Sequence, residues 1–159
     1  MPGVFLHPTR DPAGHSYRSG EVVARGGSEA AAGDALESWR FGVDLFNRFY
    51  FWEAHEAWEA LWRAAPVGSA RRDLLHGLIQ IAAALLKVHL GRVDAARRLA
   101  SAGMLELRQA ATAEPVVLNV TVVTLVASFE VYFVALPSTA VSRLDRTVPV
   151  VRLDGARPA

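Results

Sequence analysis

The sequence predicts an all-α fold: a compact single-domain bundle of about five helices with irregular N- and C-terminal arms. Three observations carry that expectation. Four stretches between residues 34 and 113 repeat their apolar residues at helical spacing. The connections between them are short, which favours antiparallel neighbours. The 159 residues, 52% of them hydrophobic, suffice for one real core.

Residues 1–33, "MPGVFLHPTRDPAGHSYRSGEVVARGGSEAAAG", are punctuated by Pro, Gly and Ser, and no period persists. They read as an irregular arm, with His7 and His15 as loop histidines. The helical domain is expected over 34–137. Asp34 followed by Glu37 is a capping-box pattern for a first helix, "DALESWRFGVDLFNRFY", with Trp39, Val43 and Phe46 on one face. A second helix covers about 51–65 and stops before Pro66. Ser69 is placed to cap a third, "RRDLLHGLIQIAAALLKVHL", which ends near Gly91. A fourth, "VDAARRLASAGMLELRQAA", follows a very short turn.

The segment "VVLNVTVVTLVASFEVYFVAL" is ambiguous. Its Val and Thr content favours strand, and its apolar length allows a membrane helix. Asn119, the threonines and Glu130 argue against a bilayer. With four helices before it, the expectation is a buried helix from about 119 to 136, ended by Pro137. Residues 138–159 are expected to form an extended tail lying across the bundle.

A net charge of +1 gives no electrostatic footprint for nucleic acid. The absence of cysteine excludes disulfides, thiolate nucleophiles and Cys-based metal sites. No basic segment followed by an apolar run marks a secretory signal, so a cytoplasmic location is the expectation. No partner is identified, and a homo-oligomer is left open.

Chemistry concentrates in "FWEAHEAWEALW", Phe51 to Trp62. With His55 at zero and about 100° per residue, Trp62, Phe51 and Trp58 fall at about −20°, −40° and −60°. Glu59 and Trp52 fall at about +40° and +60°, Glu56 at about +100° and Glu53 at about +160°. His55 and Glu59 are therefore i,i+4 neighbours within the aromatic face, and Glu59 is expected to point towards the core. Glu56 is borderline and Glu53 solvated. An ionised carboxylate in the core requires a partner. The third helix offers a narrow polar stripe of Asp73, His76, Gln80 and Lys87, flanked by Gly77, Ala83 and Ala84. The stripe is expected to face His55 and Glu59.

"FNRFYFWEAHEAWEALW" followed by "HGLIQIAAALLKVHLGRVDAARRL" resembles a prokaryotic family catalogued as a domain of unknown function, number 309. The resemblance rests on His55, Glu59 and Trp62 at His-x3-Glu-x2-Trp spacing, on Phe46-Asn47, on Gly77 to Gln80 and on the turn at Gly91. It covers about residues 40–110, with an echo in the closing "VPVVRL". It implies a compact all-helical fold and a metal-binding motif, and no established reaction. Three positions depart from the family pattern. Phe49 stands where Gly is frequent, Arg92 where Asn commonly follows the turn glycine, and Lys87 where His is often found.

Two function classes follow. In the first, the protein binds a divalent metal (zinc, manganese or iron). His55 and Glu59 chelate it from one helix, His76 is the third ligand and Asp73 a fourth candidate. "HEAWE" approaches the zincin His-Glu-x-x-His pattern, but Glu59 replaces the second His. In the second, the protein is a non-catalytic helical interaction module, and His55, Glu59, Gln80 and His76 form a structural hydrogen-bond network. Lys87, the single lysine, lies one turn from a helix end and can reach water, which argues against a Schiff-base role. His89 lies opposite the stripe and reads as structural. No nucleophile-elbow, phosphate-loop or dinucleotide motif is present.

Overall fold

The structure, a computed structural model, describes residues 28–137, 144 and 147–155. His7 and His15 lie outside the described residues. The chain divides into two compact units, Met1–Asp34 and Ala35–Ala159. Of the first, residues 28–34 are described, and they are helical.

Five helices follow one another: α1 Ser28–Asn47, α2 Phe51–Ala64, α3 Ala70–His89, α4 Val93–Ala113 and α5 Val122–Ala135. Between α4 and α5 stands a small antiparallel hairpin of β1, Val116–Val117, and β2, Val120–Thr121. The expected all-helical class is what the structure shows. α2, α3 and α4 keep close to their expected bounds. Ser69 Oγ accepts the Arg72 amide at 3.2 Å, which caps α3 as its sequence predicts. α3 ends in a two-bond glycine cap. Gly91, at φ 69°, donates to Val88 O at 2.9 Å, and Arg92 donates to Lys87 O at 2.8 Å.

Two boundaries differ from expectation. α1 begins at Ser28, so residues 28–33 belong to it, and Asp34 lies inside the helix rather than capping it. The alanines at 30–32 are strong helix formers and carry the helix past the polar pair. The expected buried helix from about 119 begins instead at Val122, because Leu118 and Asn119 both have positive φ (48° and 60°). Two consecutive left-handed residues make the tight turn that joins β1 to β2. Trp39 Nε1 donates to Leu118 O at 3.1 Å and fixes this turn from α1. No described helix is long and apolar enough to cross a membrane.

The core is aromatic at its centre. The Trp58 ring lies 5.7 Å from Trp39 and 5.6 Å from Phe46, and Phe46 meets Phe51 edge-on at 5.1 Å. Phe129 of α5 closes the group against Phe46 at 6.1 Å. Gly42 makes room for it. A methyl group there would lie 2.2 Å from Trp58 Nε1. A second close approach joins α3 to α4. A methyl on Gly77 would meet Gly103 O at 2.8 Å, and one on Gly103 would meet Gly77 O at 2.8 Å.

The described part of the C-terminal tail, residues 147–155, is held by the end of α1 and by the hairpin. Asn47 pairs with one backbone unit of it: Nδ2 donates to Val151 O and Oδ1 accepts from Val151 N, both at 2.8 Å. Asp154 is held twice, its amide by Asn119 O at 2.6 Å and its carboxylate by Thr121 Oγ1 at 2.8 Å. Val148 and Val151 of this strap are buried.

Gly42→Ala is expected to lower the unfolding free energy by about 1–3 kcal/mol through overpacking against Trp58. Gly33→Ala, with open space around the new methyl, is expected to be neutral or stabilising. Thermal denaturation followed by circular dichroism checks the pair, and equal melting temperatures would contradict the assignment.

Candidate functional site

α2 does not turn the face to the core that its aromatics imply. Its buried residues are Phe51, Ala54, Trp58 and Leu61. With His55 again at zero, they centre at about −80°. Glu59 thus lies about 120° from the centre of the buried face. Its side chain is 34% exposed, and its carboxylate accepts from Arg63 one turn on. The expectation that Glu59 points to the core is corrected accordingly: Ala54 and Leu61, not the tryptophans alone, define the apolar direction. Trp52 is likewise 51% exposed and stacks on His55, ring centroids 5.4 Å apart. Glu56 is exposed, and His55 and Glu53 are half-buried. His55 Nδ1 is buried without a hydrogen-bond partner.

The α3 stripe exists. Asp73, His76, Gln80, Ala83 and Lys87 are half-buried, Gly77 and Ala84 buried, and His89 is exposed at the helix end. The close approach that its small residues predict is made by α4, at Gly77 and Gly103. His76 Nδ1 lies 3.2 Å from Glu106 Oε1 of α4. His76 Nε2 lies 3.2 Å from Gln80 Nε2. A carboxylate can only accept, so Nδ1 carries the proton, and in neutral His76 Nε2 then accepts from the Gln80 amide. The contribution from α2 is Trp62, whose ring stacks on His76 at 4.9 Å and 14°. No described hydrogen bond or ion pair joins His55 or Glu59 to the stripe. Glu106 takes the role expected of Glu59.

Arg72 ties the same seam from the other side. Its Nη1 donates to Trp62 O and Ala65 O, each at 2.9 Å, which satisfies carbonyls at the end of α2. Its guanidinium carbon lies 4.7 Å from the centroid of Trp62, a cation–π geometry. Composition hides this residue, because one arginine among sixteen carries no signal. Glu106 had a signal: it stands one turn beyond Gly103, on the helix that a facing glycine pair brings against α3.

Asp73 is the ionisable group the seam perturbs. Burial pushes its carboxyl above the ordinary carboxylate range, and the negative charge of Glu106 adds to this. His76 and Arg72 act in the opposite direction.

The donors fall short of a metal-ligand set. Among the described residues, no group of three or more His, Asp or Glu side chains is placed to hold a metal ion. His76 is engaged on both nitrogens, and Glu59 by Arg63. Two described clefts, of about 680 and 540 Å³, lie on α5, and neither is lined by His55, Glu59 or His76.

Residues 39–99 match the model of a family described as Domain of unknown function (DUF309). The match covers 61 of the 159 residues. It runs from the buried Trp39 through α2 and α3 into the first turns of α4. It contains Asn47, His55, Arg72, His76 and Gln80, while Glu106 and α5 lie beyond the match. One departure named above acquires a physical meaning in the matched segment. Phe49 adopts φ 68°, the left-handed region that glycine enters without strain. No curated protein matches the chain.

The raised carboxyl sets the sign of a pH effect. A folded state that binds the Asp73 proton more tightly than the unfolded state is favoured below the unfolded value of 3.8. That advantage is lost as pH rises through the higher folded value. Removing the charge with Asp73→Asn should therefore shift relative stability towards the variant between acid and neutral pH. Denaturant midpoints of both proteins across that range check the slope, and a shift towards the parent would contradict it.

Proposed function

We propose that this protein is a non-catalytic helical interaction module, in which the polar cluster on α3 is a structural network. The observation that carries this reading is the outer arc of α5. Val123, Val131 and Val134 are 62%, 73% and 84% exposed, and Thr124, Ala127 and Ala135 between them are also exposed. No charged residue interrupts the arc; Glu130 stands at its edge, paired with Arg108 of α4. A helix apolar on all sides normally lies buried, and a continuous exposed apolar stripe marks an interaction surface.

The cluster's geometry favours a structural role. A histidine that serves as a general base or a ligand needs one free ring nitrogen. Both nitrogens of His76 are taken, by Glu106 and Gln80. Its stacking on Trp62 joins a third helix to the same contact.

Replacing Ala127 with a photo-crosslinking amino acid in cells should give a discrete product. The same group in place of the exposed Arg98 of α4 should not. No product from position 127 above that control would end the reading.

A second reading, divalent-metal binding at His55, is favoured by one observation, the buried and unpartnered Nδ1. Calorimetric titration of chelator-treated protein with zinc, manganese or iron separates the two. The module reading expects no binding at micromolar metal. Saturable binding that His55→Ala abolishes would establish the metal instead.

A further inference from the structure

We propose that the outer arc of α5 is a two-fold docking surface for a second copy of this chain. The proposal rests on the interaction reading above and names its partner.

The arc is a ridge between two grooves. On one side lies the cleft of about 680 Å³ between α5 and the C-terminal strap, lined among others by Val120, Thr124, Val131, Pro149 and Val150. On the other lies the groove of about 540 Å³ between α4 and α5, lined among others by Ala100, Met104, Phe133 and Val134. A surface that carries both a ridge and the grooves beside it can complement itself about a two-fold axis.

The charge of the groove walls points to a neutral occupant. Arg108 is paired with Glu130, and Arg97 donates to Leu136 O at 2.6 Å. The cations of the α4–α5 groove are therefore engaged within the copy, Arg152 and Asp154 on the wall of the larger cleft offset each other in charge, and the ridge itself is uncharged. An acidic peptide would gain little there, whereas an identical ridge brings no charge to be buried.

Spacing fixes the register. Ala127 is the smallest residue at the middle of the stripe, so two antiparallel α5 helices approach most closely there. With the axis at Ala127, Val123 of one copy lies level with Val131 of the other. Val134 reaches past the start of the partner's α5 towards the mouth of the larger cleft, which Val120 lines. α5 is about 21 Å long, and three helix widths of about 10 Å span the ridge and both grooves. The footprint is then about 600 Å² per copy, the low end for a specific interface. The expected dimer is reversible at micromolar concentration.

The test uses the full chain. Sedimentation equilibrium across micromolar concentrations should show the mass rising from 17.2 kDa towards twice that value. Val131→Glu should raise the dissociation constant at least tenfold without lowering the melting temperature. Because the chain has no cysteine, Ala127→Cys supplies a single thiol, which should form an intermolecular disulfide on mild oxidation. Arg98→Cys should not. A monomer at every concentration overturns the proposal. So does a dimer untouched by Val131→Glu, which would place the contact elsewhere. A variant with a lower melting temperature and no change in mass would mean that the chain itself covers this face, and also overturns it. If the crosslinker at position 127 captures a different protein while the chain stays monomeric, the second-copy proposal falls and the interaction reading stands.

Discussion

The contact on which the arrangement depends is the meeting of two backbones at Gly77 and Gly103. Each glycine sits where a methyl group would strike the other's carbonyl oxygen. Helices that approach so closely leave little freedom in their relative translation. That single alignment puts His76 level with Glu106 and sets Gln80 against α4. It also decides where α4 presents its other side, on which α5 packs. The polar seam and the exposed ridge are two results of one helix crossing.

The seam shows how a half-buried polar cluster can be structural. Its donors and acceptors are arranged so that each helix supplies a different kind of group. α2 supplies an aromatic plane and terminal carbonyls, α3 an imidazole, an amide and a guanidinium, and α4 a carboxylate. A sliding or rotated helix would lose one of these contacts and leave its partner group unsatisfied in a poorly solvated place. Such a network specifies one packing among the many that leucine and alanine alone would tolerate.

Most of the fold was legible in the sequence because its signals are local. Helical periodicity, the Ser69 cap and the Gly91 turn each depend on a few neighbouring residues, and α2, α3 and α4 keep nearly the expected bounds. What was not legible depends on distant residues. The turn at Leu118 and Asn119 lacks the glycine that announces most tight hairpins, and a tryptophan from α1 holds it. The direction of α2 is masked in the sequence because three large rings outweigh Ala54 and Leu61. Packing follows the whole apolar arc, and Trp52 with Glu59 fell outside it. The stripe on α3 is legible, and so is its need for a partner. That partner lies on α4, visible only once two glycines are known to face each other. The exposed arc of α5 was hidden by composition: a run of valines reads the same whether protein or solvent surrounds it.

The Asn47 clamp has a consequence for the order in which the chain becomes native. It joins residues 104 positions apart through two bonds to the backbone of one residue. Closing so long a loop carries an entropic penalty that only an already formed docking surface can offset. α2 through α5 can assemble from contacts between neighbours in sequence, whereas the strap must wait for the end of α1 and for the hairpin. On a ribosome it closes after α1 to α5 are made, because its residues emerge after theirs. In the finished protein it is also a natural early contact to open, since its own fully buried residues are two valines, Val148 and Val151, and none of the core aromatics.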